Sequence, residues 1–195
     1  MSTTPSRKEA THERIVSTAA RIIRRSGYDG VGVADIMKEA GLTHGGFYAH
    51  FPSKTALLAE AADHACDEGV GHLHQLIEAV PAEDALDTII DFYLSDAHVA
   101  TQEHGCPLAA LASEVPRQEP EIRRAATRNI KEMLKVIEGH VPGEKKERRR
   151  REKAMAALGS LVGTLILARA VEDEELSASL RDASKKLLRS YLNER

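Results

Sequence analysis

Apolar residues in this chain recur at helical spacing over most of its length and nowhere hold the strict alternation of a half-buried strand. Ile15, Ala19, Ile22 and Ile23 fall at i, i+4, i+7 and i+8, one face of a helix over residues 8–25. Gly27 is placed to stop it. A loop at Asp29–Gly32 leads to a short helix over 34–40, ended by Gly41, and then to a second short helix from Thr43 to Tyr48. Pro52 and Ser53 punctuate the chain, with Ser53 the N-cap of a long helix reaching the mid-70s. After Pro81, the inward positions Ala85, Ile89, Phe92, Tyr93 and Val99 mark a helix over 83–101. His104–Pro107 is a turn, 107–114 a short helix, and 119–139 a helix with Ile122, Ala126, Ile130, Met133, Leu134 and Ile137 on one face. Two further helices follow Pro142 and Gly143, over 145–170 and 174–193. The pattern predicts an all-α fold of about nine helices.

Composition adds limits. The chain has 195 residues, 42% hydrophobic and 29% charged, the balance of an ordinary globular protein. The longest apolar run, Leu158–Ala168, is broken by Gly159, Ser160, Gly163 and Thr164, short of the roughly 18 residues that span a bilayer. The polar start MSTTPSRKEATHER carries no apolar core of a secretory signal. Two cysteines, Cys66 and Cys106, make no disulfide framework. The expectation is a cytoplasmic protein. Charge is uneven: residues 1–59 carry a net +3 and the rest −6. A mildly basic head on an acidic body suits a nucleic-acid-binding unit attached to something else.

Chemistry concentrates in Gly41–Lys54, GLTHGGFYAHFPSK, which holds three of the seven aromatic residues. Two short helices joined across a glycine form the helix-turn-helix pattern, whose second helix enters the major groove. Gly45 and Gly46 each cost a helix about 0.8–1.0 kcal/mol relative to Ala, but let the backbone approach phosphates or base edges closely. Thr43 and His44 sit first on that helix, within reach of base edges. Tyr48 and His50 offer donors of the kind that fix register on a backbone. Lys54 opens the next helix, where the dipole disfavours a cation and a bound phosphate reverses the preference. Phe47 and Phe51 read as core.

Gly27-Tyr28, Ile36, Ala40-Gly41-Leu42-Thr43, Gly45, Phe47-Tyr48, His50-Phe51 and Ser53-Lys54 resemble the N-terminal signature of the TetR/AcrR family of bacterial transcriptional regulators. The resemblance covers residues 10–60; beyond it only helix count and order match. It implies a homodimeric regulator, usually a repressor, that binds a palindromic double-stranded DNA operator and is released by a small-molecule effector. Residues 1–52 would be the DNA-binding domain and 53–195 the effector-binding and dimerisation domain. Thr43, His44, Gly45, Tyr48, His50 and Lys54 carry over as DNA contacts. Val33 departs from the Thr or Ser that opens the second helix in relatives, which removes one cap and phosphate contact, and Ala49 supplies no polar contact.

In the body, residues 154–171 and the last helix expose more apolar surface than a lone monomer covers easily, which points to a two-fold four-helix interface. Leu158, Gly159, Leu161, Val162, Gly163, Leu165, Leu180, Leu187 and Tyr191 are its expected members. An effector pocket is expected among the helices over 83–101, 107–114, 119–139 and 145–170, near Phe92, Tyr93 and Met133. With few body aromatics, an aliphatic or small reactive effector fits better than a flat aromatic cation. Cys106 precedes Pro107 at a helix start, a setting that can lower a thiol pKa, so a sensing role stands beside plain packing; Cys66 has no such setting. Lys145–Lys153, with seven basic residues in nine, reads as a solvated helix start. His64, His72 and His74 with Asp63 and Asp67 lack metal-ligand spacing, and no metal, cofactor or catalytic residue is assigned. Two other classes fit parts of the sequence. One is a thiol enzyme using Cys106 and His104, which lacks a third orienting group; the other is a sequence-tolerant nucleic-acid binder.

Overall fold

The computed structural model describes residues 6–143 and 145–193. Residues 1–5, the start of the segment read as free of a secretory signal, lie outside them. Among the described residues the chain forms nine α-helices: α1 (Arg7–Ser26), α2 (Val33–Glu39), α3 (Lys54–Glu78), α4 (Ala85–Tyr93), α5 (Asp96–Ala100), α6 (Pro107–Leu111), α7 (Pro120–Gly139), α8 (Glu147–Ala170) and α9 (Glu174–Asn193). Short 3-10 segments lie at His44–Ala49, Ala82–Asp84 and Val115–Arg117. The all-α expectation holds, and most boundaries fall within two or three residues of those read from the pattern.

Local chemistry explains the ends. Ser6 and Glu9 form a reciprocal capping box at the start of α1. Ser53 accepts the Ala56 N–H at 3.0 Å and starts α3. Two expectations are corrected. The single helix over 83–101 is broken at Leu94, because Ser95 turns its hydroxyl to the His98 N–H and caps a separate α5. The second helix of the head's motif is 3-10 rather than α; with Gly45 and Gly46 in a six-residue segment, the α form is weak.

Side chains pack into two clusters. The first, in the head, gathers Ile15, Ile23, Tyr28, Ile36, Phe47, Phe51 and Leu57, closed by Leu111, Ile122 and Ala125 from α6 and α7. The second fills the body with Leu73, Ile89, Ile90, Tyr93, Ile137, Leu161, Leu165 and Leu188. Helix α3 belongs to both: Leu57 to Ala65 face the head core, and Cys66, Leu73 and Ile77 face the body core. By length and composition α8 is apolar enough to cross a membrane, contrary to the reading of the broken run; one face of it nonetheless packs into the body core.

Just past the changeover in α3 stand Gly69 and Gly71. A Cβ built on either meets nothing within 4 Å, so no packing inside the chain requires glycine there, in mid-helix. Gly69→Ala and Gly71→Ala are each expected to raise stability by about 0.5–1 kcal/mol, measured by urea denaturation; a loss of stability at either site would show an unseen constraint on the helix.

Candidate nucleic-acid interface and ligand cavity

The turn of the head is built by backbone geometry. Helix α2 ends in a Schellman motif: the Leu42 N–H reaches the Met37 carbonyl at 2.8 Å, and the Gly41 N–H the Lys38 carbonyl at 3.0 Å. Gly41 takes φ +70° to close it. Thr43 is then extended and caps nothing with its hydroxyl. Phe47 and Phe51 are buried and stacked at 5.7 Å, and His12 stacks on Phe51 at 4.5 Å. These anchors turn Thr43, His44, Gly45 and Ala49 outward, with Tyr48 72% exposed. His50 is half-buried, and its Nδ1 is enclosed without a partner. Burial, then His12 and Lys8, hold its pKa below the usual value. Space around a Cβ at Gly45 is empty, and at Gly46 it meets only Met37 at 3.7 Å. Lys54 opens α3 with no ion-pair partner among the described residues. Helix α2 lacks a side-chain cap: Gly32 occupies the N-cap, and Val33 packs on the head core.

In the body, a cavity of about 480 Å³ brings together all four residues singled out for it, Phe92, Tyr93, Cys106 and Met133. Its walls differ from expectation. The middle of α3, from Cys66 to Gln75, forms one side, and α8 contributes nothing. Cys66, read as unremarkable, lines the same space as Cys106. Three imidazoles not expected there also line it: His72, His98 and His104. Phe92 lies 4.9 Å from His72 and 5.5 Å from His98, stacked on the latter, and Tyr93 meets His98 edge-on at 4.9 Å.

His98 is held by both ring nitrogens. Nδ1 donates to the Tyr93 carbonyl at 2.8 Å, and Nε2 accepts the Cys106 N–H at 3.1 Å. A carbonyl only accepts and an N–H only donates, so this geometry fixes one neutral tautomer. Burial pushes the His98 pKa down to about 4. The imidazole of His98 thus steadies the backbone at Cys106 and is not free to act as base toward its thiol. Burial, with Cys106 next, raises the Cys66 thiol to about 12, so that sulfur stays protonated. Burial likewise raises the Tyr93 hydroxyl, which lies beside the Cys106 thiol and has no hydrogen-bond partner of good geometry.

Head and cavity meet at Arg24. Its side chain is 1% exposed. Nε donates to the Ala20 carbonyl within α1, Nη1 to the Gly105 carbonyl beside Cys106, and Nη2 to Glu68 at 2.9 Å. Glu68 and Gly105 both line the cavity. Glu114 adds a second tie, accepting the Tyr28 N–H at 2.8 Å.

The dimer residues divide. Leu158, Leu161 and Leu165 are corrections: all three are buried in the monomer's own core, on the face of α8 turned toward the body. Gly159, Val162 and Gly163 lie on the other face, with exposed Met155 and Ile166 at helical spacing. On α9, Leu180, Leu187 and Tyr191 share a face with Leu176 and Ala183, and Leu187 is 63% exposed. A Cβ at Gly159 or Gly163 would meet nothing. Tyr191 is half-covered, under the Lys153 ammonium. Among the described residues no group of three His, Cys, Asp or Glu is placed to hold a metal. The basic run at the start of α8 is largely exposed and partly paired, Arg148 with Glu152 and Arg151 with Glu138, but Lys153 at its end is buried, its ammonium donating to the Leu192 carbonyl at 3.0 Å.

Comparison with known proteins adds the following. Residues 15–61 match the family model of bacterial regulatory proteins of the tetR family, and residues 81–186 match the C-terminal domain of LmrA/YxaF-like transcriptional regulators. The uncharacterized HTH-type transcriptional regulator Rv0196 of Mycobacterium tuberculosis is 30% identical over 178 residues, covering 85% of this chain and 87% of its own. HTH-type transcriptional regulator LmrA of Bacillus subtilis is 31% identical over 132 residues, 66% of this chain and 69% of its own. A TetR-family regulator from Cytophaga hutchinsonii superposes with a TM-score of 0.80 at 18% identity, covering 99% of this chain and all (100%) of its own. FadR of Bacillus subtilis, solved in complex with stearoyl-CoA, superposes at 0.68 with 18% identity, covering 93% and 97%.

His98 gives stability a pH dependence of known sign. Its folded pKa of about 4 lies below the unfolded value of about 6.5. Its contribution is therefore complete above the unfolded value and is lost as pH falls through the window between the two. Between pH 6.5 and 4.5 the wild type is expected to lose about 2 kcal/mol more than His98→Gln, read from urea denaturation at each pH. Parallel losses in the two proteins would mean that His98 takes up its proton when folded.

Proposed function

We propose, from the premise that the chain belongs to the TetR family of bacterial regulatory proteins, that it is a cytoplasmic homodimeric repressor of a palindromic operator, released by a small molecule. The chain is a transcriptional regulator and not an enzyme. Residues 1–52 serve DNA and 53–195 serve effector and dimer, with α3 common to both. One observation carries the DNA reading: the Gly41 turn points outward a surface with little role inside the chain, Tyr48 touching it only edge-on at Phe47, 5.1 Å between ring centroids. Gly45 has no intramolecular cause, Thr43 caps nothing, and Tyr48 stands in solvent. Thr43, His44 and Gly45 reach base edges; Tyr48, His50 and Lys54 take phosphates, Lys54 with the free N–H groups at the start of α3.

Two copies joined through the outer faces of α8 and α9 would set their recognition segments about 34 Å apart, one turn of B-DNA. The effector occupies the cavity lined by Phe92, Tyr93, Cys106 and Met133, and lowers DNA affinity by its differential affinity for the two head positions. Arg24 supports this route, since it holds α1 to two segments of the cavity wall. FadR is a solved example of this fold with a small molecule bound.

Selection of binding sites from random duplex DNA tests the reading. A recovered palindrome is expected; no enriched sequence would overturn specific regulation in favour of sequence-tolerant binding. On the selected site, His44→Ala is expected to relax base preference, while Lys54→Ala weakens all DNA alike and reduces the salt slope by about 1. Unchanged affinity in Lys54→Ala would remove its phosphate role. For the dimer, Leu187→Glu is expected to yield monomers in sedimentation and to lose operator binding, whereas the same change on a surface not used for assembly would leave both intact.

A further inference from the structure

The cavity has a chemical character of its own, and it limits what can occupy it. No Lys or Arg is among its described lining residues. The nearest guanidinium groups are already held: Arg24 by Glu68 and the Gly105 carbonyl, and Arg169 by the His98 and Val99 carbonyls. Asp67 and Glu68 stand at the mouth, where Gly69 and Gly71 leave it open. A ligand carrying a carboxylate or phosphate would therefore exchange water for acidic neighbours and no fixed cation, a transfer that costs several kcal/mol unless a counter-charge is present. His98 cannot supply that charge, because its second nitrogen already accepts the Cys106 N–H. The rest of the lining joins the apolar Leu73, Phe92 and Met133 and the two thiols to the imidazoles of His72, His98 and His104.

Of the polar side-chain atoms in this lining, one is enclosed without a hydrogen-bond partner among the described residues. Tyr93 lines the cavity, and its hydroxyl is enclosed without a partner of good geometry, beside Cys106. A thiol is a weak donor and a weak acceptor, so the phenol O–H keeps an unmet capacity to donate. Leaving a buried donor unmet is costly, and a ligand oxygen that meets it recovers that cost on binding. Phenylalanine would fill the same volume without it.

Resting on the regulator reading above, we infer that the effector is an uncharged, largely apolar molecule presenting an ether or carbonyl oxygen to the Tyr93 hydroxyl. The space of about 480 Å³ suits a compact molecule of drug-like dimensions and has no anchor for an anionic head group.

The test uses three probes on one scaffold, 2-methoxynaphthalene, 2-ethylnaphthalene and 2-naphthoate. Each is titrated into the full-length protein under the same buffer conditions. The chain has no tryptophan, so naphthyl fluorescence reports binding directly. The methoxy compound is expected to bind about five- to tenfold tighter than its ethyl isostere and at least tenfold tighter than the naphthoate. Tyr93→Phe is expected to erase the methoxy–ethyl difference while leaving ethyl affinity unchanged, which also shows that the variant is folded. Naphthoate binding as tight as methoxy, a methoxy preference that survives Tyr93→Phe, or no binding of any probe would overturn the inference. Selection of an operator by the same preparation separates the two readings. An operator without the probe pattern leaves the regulator and removes this ligand class; the probe pattern without an operator does the reverse.

Discussion

A guanidinium buried between the head and the body is the constraint around which this molecule is arranged. The Arg24 side chain is 1% exposed and cannot reach water, so every N–H it turns inward needs an acceptor. It finds one in its own helix and two across the seam, at Gly105 and Glu68. Those two lie on different segments, the turn before α6 and the middle of α3, and each is also part of the cavity wall. The head therefore cannot tilt without disturbing the cavity, and the cavity cannot widen at those points without loosening the head. Glu114 at the Tyr28 N–H restrains the same joint from the other side.

Glycines give a second view of the design. Where a glycine is required by backbone shape, as at Gly41 with its positive φ, the reason lies within the chain. At five others no reason lies within the monomer. Gly45, the pair Gly69 and Gly71, and the pair Gly159 and Gly163 all sit in helical segments, all at some cost in helix stability, and a Cβ on any of them would touch nothing in the monomer. They fall on three separate surfaces: the exposed face of the head, the mouth of the cavity, and the outer face of α8. These are the surfaces to which DNA, a small molecule and a second copy are assigned, and an added methyl group would be felt first by such visitors.

Much of this was legible in the sequence because helix periodicity and capping are local. The spacing of Ile15, Ala19, Ile22 and Ile23 located α1, Ser53 located the start of α3, and Gly41 located the turn. What was not legible depended on facts that sequence spacing does not carry. A run such as Leu158 to Leu165 is apolar on all sides, so periodicity could not say which leucines face the monomer core and which face outward; burial separates Leu161 and Leu165 from Val162 and Gly163. Phe92, Tyr93, Cys106 and Met133, singled out from the sequence, line one cavity, but the α3 residues that line it with them were not singled out. Cys66 and His72 are far from them in sequence and meet them only because α3 runs past both cores. His98 carried a faint signal, Ser95 three residues before it as an N-cap, but its two ring contacts are tertiary.

The energies at the seam match what a ligand-controlled regulator needs. Coupling between two sites is commonly worth 1–3 kcal/mol, roughly a 5- to 150-fold change in affinity. A hydrogen bond to a charged group is worth about 1.5–3 kcal/mol. Weakening one of the two bonds that Arg24 makes across the seam is thus enough, in magnitude, to convert occupancy of the cavity into a different head position. A larger network would resist the small perturbation that an uncharged ligand can exert. A joint with no buried charge would let the head drift whether or not ligand is present. Because α3 is continuous from Lys54 to the cavity wall, a displacement need not pass through loops: the helix that opens beside the surface proposed for DNA is the helix a ligand in the cavity would touch.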